Sequence, residues 1–566
     1  MAHPNASFKC THCGKPYTTS SHLRRHEAAP QKRGRKRKAC NQCALGRVAC
    51  DGDAPCESCL CKNLDCSYAR VRRLRSPSQP QDRKQGPSGS QQIPIDFLLN
   101  YTDPSVETAR DLHCVLGGQG KSDGVDVCDS VLPYQFSETW LSVFHAFVDV
   151  SELDMSFCEA GVLYGLGDSE GLASTVDRLA AHLDQLQGSK YTRATTILNA
   201  EAFLSQANVI RFVNAFFNNA NHSNCIIHKG SFNVNTASTN LVLAIILLGA
   251  TSISPEDAAT ADALSEAVEH SVFEGPEFKH LLYQEAHPTP SPAYIQLVQA
   301  AGLILVLRIS TGQLAARRRI RIQRIPALVS AARLLKLTQV LNDTVQDSWT
   351  ADYDEYIHKE TLVRIMAWVY LLDTHCVVFS NSPPQFRIFE ADFGLPQNDM
   401  LFTASDPGPT APISSITGPQ NNPPLSLRLV VQRLMDDTPH TLIEDLQPHI
   451  NTYFALCLIL SALHCVLFDL QALGSYANTP GVLKPIERAL DKWKVLWESF
   501  HKHTQQQPGE SQPRFMVHSM EFWWLAKMLV KHPRTFRFRR GVSVDSVDGF
   551  HDMVKGFRAG AIDWYL

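Results

Sequence analysis

The sequence lacks the short motifs that mark the common enzyme chemistries. It contains no HExxH zinc-protease motif, no GxGxxG or P-loop nucleotide site, and no GxSxG nucleophile turn. Histidine, aspartate and glutamate are plentiful, but they stand at no spacing that a catalytic mechanism requires. These absences argue against an enzyme.

Long apolar runs are also missing, since none reaches the roughly 20 residues that cross a bilayer as a helix. The two most apolar runs, 241–250 and 453–468, are shorter, and the second contains His464. The first ten residues, MAHPNASFKC, hold no apolar signal-peptide core. We therefore expect two buried helices, no membrane partner, and isolated cysteines that stay reduced.

The net charge is small, but the charges are unevenly distributed. The chain of 566 residues carries 53 basic and 56 acidic side chains, a net charge of −3. The first 75 residues hold 16 basic and 5 acidic side chains, which leaves 37 basic and 51 acidic ones for the rest. A basic segment on an acidic remainder is typical of a nucleic-acid binder, and the length predicts more than one domain.

Cysteine is concentrated near the N-terminus. Nine of the 16 cysteines precede residue 67, and six of these repeat one spacing twice, CxxC followed by six residues and a third cysteine. The six are Cys40, Cys43, Cys50, Cys56, Cys59 and Cys66. Because one tetrahedral zinc takes four ligands, six thiolates suit two Zn2+ ions that share two bridging sulfurs. A disulfide framework is the alternative, and the scattered remaining cysteines argue against it.

These residues resemble the fungal binuclear zinc cluster, the six-cysteine DNA-binding domain of fungal transcription factors. The resemblance includes the flanking residues Lys38-Ala39, Cys50-Asp51-Gly52, Pro55 and Ser67-Tyr68. It implies that Cys40 and Cys56 are the bridging sulfurs and that a short helix enters the DNA major groove. Family members carry several cations between the second and third cysteines, whereas the segment 44–49 here holds only Arg47. Arg47 is therefore the candidate reader of a guanine edge.

A second zinc module is predicted ahead of the cluster. Residues 8–26 resemble a two-cysteine, two-histidine finger with Phe8, Tyr17 and Leu23 as its small core. The resemblance implies three zinc ligands, Cys10, Cys13 and His26, and three base-reading positions, Thr19, His22 and Arg25. The fourth ligand is missing, because no histidine follows His26 until His113. Either a weakened finger that binds a third zinc or a decayed one fits this pattern.

Two basic arms flank the cluster. The first comprises Lys32, Arg33, Arg35, Lys36, Arg37 and Lys38, and the second comprises Arg70, Arg72, Arg73 and Arg75. Their position beside a DNA-binding module favours phosphate contact and nuclear import over a merely solvated linker. Residues 76–92 are rich in Pro, Ser, Gln and Gly, which predicts a flexible linker. No apolar heptad follows, so a homodimer would need an interface from the rest of the chain.

From residue 93 onward the pattern predicts a mostly helical domain. In 358–380 the apolar positions Leu362, Ile365, Val369, Leu372, Cys376 and Phe379 step by three and four residues. Residues 485–500 show the same helical spacing of apolar residues. Residues 405–424 and 501–513 are predicted to be breaks between helices. The run 317–321 holds four arginines and is interpreted as a solvated helix face rather than a nucleic-acid site.

This helical part resembles the middle homology region, the regulatory domain of fungal transcription factors. The residues that carry the resemblance are Glu360, Arg364, Trp368, Leu371-Leu372-Asp373, Asn381-Ser-Pro-Pro384, Glu390, Leu395-Pro396, Ala489-Leu490-Asp491-Lys492-Trp493 and Glu521-Phe522-Trp523. We interpret most of them as core or inter-helix contacts.

Four parts are thus predicted in a mostly α protein. They are a degenerate finger (1–31), a basic arm with the binuclear cluster (32–75), a linker (76–92) and an all-helical regulatory domain (93–566). The leading hypothesis is a nuclear, zinc-dependent transcription factor that binds double-stranded DNA and regulates a metabolic or secondary-metabolite gene cluster. Its helical domain would bind co-regulators. The alternative is a zinc-fold regulator that reads bases weakly and acts mainly through protein partners.

Overall fold

The structure is a computed structural model, and it divides the chain into two compact units, Met1–Ser90 and Gln91–Leu566. The residues described are 8–9, 16–17, 59–60, 62, 98, 163–187, 203–218, 226–284, 288–311, 314–344, 353–397, 399, 402, 424–437, 441–477, 481–505, 518–531, 550 and 553–554.

The first unit begins with a small β-hairpin. Strand β1 (Phe8–Lys9) pairs antiparallel with β2 (Pro16–Tyr17), and Phe8 lies opposite Tyr17 in the register. In the same unit Cys59 and Leu60 are helical, with Cys59 buried and Leu60 exposed.

The described part of the second unit is mostly helical, and its first half contains six described helices and one short 3-10 turn. A single 3-10 turn (Leu163–Gly165) precedes α1 (Ser169–Gln187), α2 (Gln206–Asn218), α3 (Thr239–Ala250), α4 (Pro255–Glu274), α5 (Pro276–Tyr283) and α6 (Pro292–Thr311). Helix α3 packs against α2, α4 and α6.

Helix α3 is central in this half because its sequence is apolar on every side. Residues 241–250 are all buried, which confirms the buried helix predicted from this run. At Gly249 a Cβ atom would lie 2.0 Å from the backbone oxygen of Phe212, so only glycine lets α2 approach this closely. Helix α4 starts at a serine cap, where the Ser254 side chain accepts a hydrogen bond from the Asp257 amide.

A continuous helical segment connects the two halves. Helix α7 (Leu314–Arg319) passes into one π-helical stretch (Ile320–Arg324) and then into α8 (Ile325–Leu334), with a 3-10 turn (Leu337–Gln339) after it. The predicted helix over this segment is therefore confirmed. The π stretch inserts an extra residue into the turn and changes which side chains face the core.

The second half is built around one long helix. It comprises α9 (Tyr353–Ser380), α10 (Leu427–Met435), α11 (Thr441–Leu446), α12 (Tyr453–Ala477), α13 (Lys484–Gln505) and α14 (Ser519–Lys531), with 3-10 turns at Ile388–Glu390 and Gln447–His449. Helix α9 packs against α6, α8 and α12, and α12 packs against α13 and α14. One continuous apolar core therefore joins both halves.

The apolar positions predicted on α9 and α13 are buried, with two differences. All six predicted positions of α9 are buried, but so are most of its other residues, because helices surround it rather than flank one face. On α13, Ile486, Leu490, Trp493 and Trp497 are buried and Phe500 is half-buried.

Two breaks between helices are predicted, at 405–424 and at 501–513. The break predicted from residue 501 is wrong for 501–505, which continue α13 to Gln505. Residues 501–505 contain no proline or glycine that would end the helix, and within its last turn the Thr504 hydroxyl donates to the Phe500 carbonyl at 3.0 Å. The loop predicted over 405–424 lies outside the described residues, apart from residue 424.

Three of the described helices are long and apolar enough to cross a membrane by length and composition alone. The stretches are Pro292–Ile309, Tyr353–Ser380 and Tyr453–Leu473, and an apolar 18-residue window within each is 78%, 94% and 78% buried inside the protein, respectively. The third corrects the expectation that the run at 453–468 is too short, because the helix continues to Ala477. Within α12, His464 is accommodated by a 3.0 Å hydrogen bond between its Nε2 and the Phe522 carbonyl.

Candidate functional site

The zinc-binding and DNA-binding residues predicted from the sequence lie almost entirely outside the described residues. These are Cys10, Cys13, His26, Cys40, Cys43, Cys50, Cys56 and Cys66 for zinc, and Thr19, His22, Arg25, Lys32, Arg33, Arg35, Lys36, Arg37, Lys38, Arg47, Arg70, Arg72, Arg73 and Arg75 for DNA. The exception is Cys59, whose side chain is buried at the start of a helical turn. A buried thiol of this kind fits a structural zinc ligand rather than a reactive surface cysteine.

The β-hairpin fits the start of the predicted finger only in part. Strands β1 and β2 bracket the positions of Cys10 and Cys13 in the sequence, and they bring Phe8 and Tyr17 into register. A two-stranded hairpin with two cysteines at its turn is the first half of a ββα zinc finger. The helix that would carry His22 and His26 lies outside the described residues, so the finger stays a prediction.

The helical domain contains no comparable cluster of metal ligands in its described part. No group of three or more histidine, cysteine, aspartate or glutamate side chains there is arranged to hold a metal ion. The donor set that suits zinc is therefore the one in the N-terminal cysteine motif, where six thiolates would hold two ions. Bound zinc would supply the fold of that module, which has too few residues for an apolar core of its own.

Buried polar side chains of the helical domain bind one another in two clusters. The first cluster centres on Arg364 in α9. Its side chain is fully buried. The guanidinium donates to Glu360 Oε1 at 2.8 Å, to Asp399 Oδ1 at 2.8 Å and to the Gln397 carbonyl. It also lies 4.2 Å from the centre of the Phe402 ring. Burial lowers the pKa of Arg364, but the Asp399 and Glu360 carboxylates outweigh this effect and raise it above its usual value.

Glu360 extends this cluster to two further segments. Its carboxylate accepts hydrogen bonds from the Asn342 side chain at 3.1 Å and from the Gln397 amide at 2.8 Å. The Asn451 side chain then donates to Gln397 Oε1 at 3.1 Å, just before α12 begins. The Glu360–Arg364 pair thus holds three chain segments against one helix.

The second cluster centres on Glu269 in α4, which is buried and surrounded by three arginines. Arg308 donates to it at 3.3 Å, Arg319 at 3.0 and 2.7 Å, and Arg324 at 2.9 Å. Burial raises the pKa of Glu269, but the hydrogen bonds from Arg319 and Arg324 outweigh it, so the pKa lies below its usual value. Arg324 also binds Glu274 at 2.6 Å.

The Glu269 cluster corrects the interpretation of the arginine run at 317–321. Arg318 is exposed, as a solvated face requires, but Arg319 is half-buried and bound to Glu269 and Glu266. Arg317 is also half-buried and donates to the Ile309 carbonyl at 3.2 Å. The prediction of a solvated face is wrong for these two residues because α4 brings two carboxylates to Arg319 and α6 brings the Ile309 carbonyl to Arg317.

The residues that carried the resemblance in α9 and after it are structural contacts, as predicted. Asp373 accepts hydrogen bonds from the Gln385 amide at 3.1 Å and the Phe386 amide at 2.8 Å. Glu390 binds Arg333 with both oxygens, at 2.7 and 3.0 Å. Asn381 adopts a left-handed conformation (φ 48°) that ends α9, and the next amide bonds back to the Cys376 carbonyl at 3.1 Å.

Comparison with known protein families identifies the family of this chain. The model described as "Fungal specific transcription factor domain" matches residues 213–495, half of the chain. The model described as "Fungal Zn(2)-Cys(6) binuclear cluster domain" matches residues 38–76, which include all six cysteines of the duplicated motif. The chain belongs to the fungal-specific transcription factor family.

Three curated proteins are among the relatives of this fungal-specific transcription factor. The transcription factor verF of Penicillium polonicum is 27% identical over 361 residues, which cover 58% of this chain and 47% of verF. The xylanolytic transcriptional activator xlnR of Neosartorya fischeri is 36% identical over 122 residues (21% and 12%). The maltose fermentation regulatory protein MAL13 of Saccharomyces cerevisiae is 49% identical over 41 residues (7% and 9%).

The fungal-specific transcription factor chain spans about half the length of verF and a smaller share of the other two relatives. No solved structure matches it significantly. Family and relatives are transcription factors rather than enzymes, in agreement with the missing catalytic motifs. The binuclear cluster family binds two zinc ions, and neither family match includes residues 8–26 of the predicted finger.

The sequence offered no signal for several residues that organise the helical domain. Arg308 and Arg324 lie 39 and 55 residues after Glu269 in the chain, and no motif connects them. Asp399 follows a proline-containing stretch that resembles an ordinary loop. Glu521 was noted for its resemblance, but its bond to the Leu98 amide was not foreseen.

Proposed function

We propose that the protein is a zinc-dependent, sequence-specific DNA-binding transcription factor of RNA polymerase II genes. The observation that carries this proposal is the duplicated cysteine motif, which matches the binuclear cluster family in a chain whose larger part belongs to the transcription factor family. All six cysteines, Cys40, Cys43, Cys50, Cys56, Cys59 and Cys66, would hold the two zinc ions. A nuclear location follows from this role and from the basic arms.

In this proposal, one N-terminal residue contacts DNA bases and others contact the phosphate backbone. Arg47 reads a guanine edge in the major groove, because it is the one cation between the second and third cysteines. The basic arms at 32–38 and 70–75 contact phosphates and supply affinity that does not depend on sequence but falls with salt. The helical domain binds co-regulators or a second copy of the chain.

The regulated genes are proposed to be metabolic. Support comes from the names of two relatives, a xylanolytic activator and a maltose fermentation regulator. A secondary-metabolite gene cluster remains part of the proposal.

Substitution of Arg47 tests base reading. We expect Arg47→Ala in the full chain to relax specificity, with a loss of roughly 10-fold or more on the preferred sequence and little change on other sequences, since a bidentate contact to guanine contributes about 1–3 kcal/mol. The measurement is a binding titration on selected and scrambled duplexes at fixed salt. Lys531→Ala, at the exposed end of α14, is the matched control for removal of one cation.

An equal loss on every duplex would mean that Arg47 contacts only phosphate. That result would favour the second candidate function, a zinc-fold regulator with weak base reading that acts mainly through protein partners. The observation that favours this candidate is the segment 44–49, which is apolar apart from Arg47.

A further inference from the structure

One lysine of the helical domain has an aromatic ring as its partner instead of a carboxylate. The Lys229 ammonium lies 5.7 Å from the centre of the Tyr164 ring, and the Lys229 side chain is half-buried. Within the described part of the chain, no oxygen lies within hydrogen-bond distance of this ammonium. An ammonium carries three donors, and the face of a ring satisfies them less well than a carboxylate or water does. The burial of this charge is therefore only partly compensated.

The backbone that carries Lys229 is a turn fixed by its neighbours. The Ser231 amide donates to the His228 ring at Nδ1, at 3.1 Å, and so closes the turn around Lys229. The other ring nitrogen of His228, Nε2, lies 3.4 Å from the Tyr353 hydroxyl at the start of α9. The turn is thus attached to the core of the domain, and the Lys229 side chain reaches Tyr164 from a defined position.

Tyr164 is held in a strained conformation on the other side of the contact. Its φ of 66° lies in the left-handed region, which a bulky residue adopts only at an energetic cost. The ring stacks on Phe217 of α2 with centres 4.4 Å apart and planes 10° apart, and the Val234 amide donates to the Tyr164 carbonyl at 2.8 Å. The Phe217 ring also lies 5.1 Å from the Phe232 ring. Lys229 therefore lies beside a rigid aromatic wall.

Burial without a counterion changes the chemistry of the Lys229 amine. Burial lowers the pKa of Lys229 below its usual value, and no charge among the described residues acts against this effect. A larger fraction of the amine is then neutral at neutral pH, and a neutral amine has the lone pair that attacks a carbonyl carbon. Lys359 of α9 is the opposite case, because its hydrogen bonds to Asp343 at 2.6 Å and Glu355 at 2.8 Å raise its pKa.

We propose that Lys229 is a modification site that takes acyl groups from acyl thioesters without the help of an enzyme. In this reaction the Nζ lone pair forms a bond to the thioester carbonyl carbon, the C–S bond breaks, and the departing thiolate takes the proton that the nitrogen loses. No oxidant or reductant takes part. The product is a neutral amide, which suits the aromatic surroundings of Lys229 because no charge is then left without water. This inference goes beyond the proposed function and does not depend on it.

The test uses the full, zinc-loaded chain with acetyl-coenzyme A as the acyl donor. Peptide mass spectrometry follows the acetylation of Lys229 and Lys359 over time in the same sample, so that Lys359 is the internal control. At neutral pH Lys229 should react roughly 10-fold or more faster than Lys359, because each pKa unit changes the fraction of neutral amine tenfold. In the chain unfolded with guanidinium chloride the two lysines should react at similar rates, since the fold creates the difference between them.

Two substitutions of Gly230 separate the effect of charge from that of access. Gly230 is exposed and has no positive φ, so this position accepts a side chain. Gly230→Asp places a carboxylate next to Lys229 and should slow its acetylation several-fold, because a nearby negative charge favours the ammonium form. Gly230→Asn is the matched control of the same size, and it should leave the rate unchanged.

Three results would overturn the proposal. The first is a Lys229 rate in the folded chain that is no higher than the Lys359 rate, and the second is a rate advantage that persists after unfolding. The third is equal slowing by Gly230→Asp and Gly230→Asn, which would mean that access to Lys229 and not its protonation sets the rate. These measurements involve no DNA, so a failure of this proposal is distinct from a failure of the proposed function.

Discussion

Arg364 lies where water does not reach, and two carboxylates and a carbonyl oxygen balance its charge. Glu360, one turn earlier on α9, is equally buried and accepts hydrogen bonds from both the Asn342 side chain and the Gln397 backbone amide. A buried pair of this kind contributes little net stability compared with an apolar pair, but removal of one partner leaves an uncompensated charge. The arrangement therefore fixes where the segments around α9 lie more than it increases the free energy of unfolding.

Replacement of Arg364 by methionine tests this account. We expect Arg364→Met to lower the free energy of unfolding by about 3–5 kcal/mol, because Glu360 stays buried without its partner. Lys359→Met is the control, since Lys359 lies beside Glu360 in sequence but pairs with Asp343 and Glu355 near the surface, and its loss should cost less than about 1 kcal/mol. Urea unfolding followed by circular dichroism measures both. Equal effects of the two variants would contradict the buried-pair interpretation.

Asp373 gives the helical domain a dependence on pH. Burial raises the pKa of its carboxyl to about 6, although the two amides that bond to it act in the opposite direction. Because the folded-state pKa exceeds the unfolded value of about 3.9, the stabilising contribution is present below pH 4 and is lost as the pH rises through 6.

The difference in stability between the wild type and Asp373→Asn isolates this effect. We expect the wild type to lose up to about 3 kcal/mol relative to the variant as the pH rises from 4 to 7, since two pKa units correspond to about 2.7 kcal/mol. Urea midpoints of both proteins across this range measure it. A difference that stays constant with pH would show that Asp373 ionises normally in the folded protein.

At the scale of elements, the π-helical stretch between α7 and α8 brings Arg319 and Arg324 to one carboxylate. Glu269 on α4 receives both of these side chains together with Arg308 of α6, so four elements meet at one buried group. This cluster ties the first half of the domain to the segment that leads into α9. Its geometry depends on the extra residue in the π turn.

Glutamates 269 and 266 lie close together on α4 but differ in burial, which makes them a matched pair. Glu269→Gln should destabilise the domain by roughly 3 kcal/mol or more, because three arginines lose their common counterion in a desolvated place. Glu266→Gln should cost less than about 1 kcal/mol, since the Glu266 side chain is 40% exposed and pairs with Arg319 alone among the described residues. Thermal and urea unfolding compare the two. A larger loss from Glu266→Gln would refute the central role of Glu269.

Elements differ in how far the sequence predicts them. The apolar run of α3 and the three-and-four spacing of α13 identified buried helices correctly, because burial acts on neighbours along the same helix. The arginine run at 317–321 was interpreted wrongly in part, because the partner Glu269 lies about 50 residues away in sequence. The bond between Leu98 and Glu521 spans 423 residues and leaves no local pattern. The periodicity of apolar residues in a sequence does not reveal contacts that the tertiary fold creates between distant residues.

On the scale of the whole molecule, the candidate site and the described fold lie in different parts of the chain. The cysteine motif alone identified the zinc module, since thiolate spacing is fixed by the metal and needs no tertiary contact. The family comparison supports that module and two zinc ions. The ligand residues one by one, the finger with Cys10, Cys13 and His26, and the base reader Arg47 stay predictions.

The most direct measurement uses the full chain, purified under reducing conditions. Bound zinc is counted per chain, and preferred DNA is selected from a random pool at physiological salt, with Cys40→Ala as the variant that removes a predicted bridging thiolate. We predict at least two zinc ions and a consensus that contains guanine, both lost in Cys40→Ala, with a third ion that His26→Ala removes if the finger binds metal. Fewer than two zinc ions, or two zinc ions with no preferred sequence, would contradict a zinc-dependent, sequence-specific transcription factor.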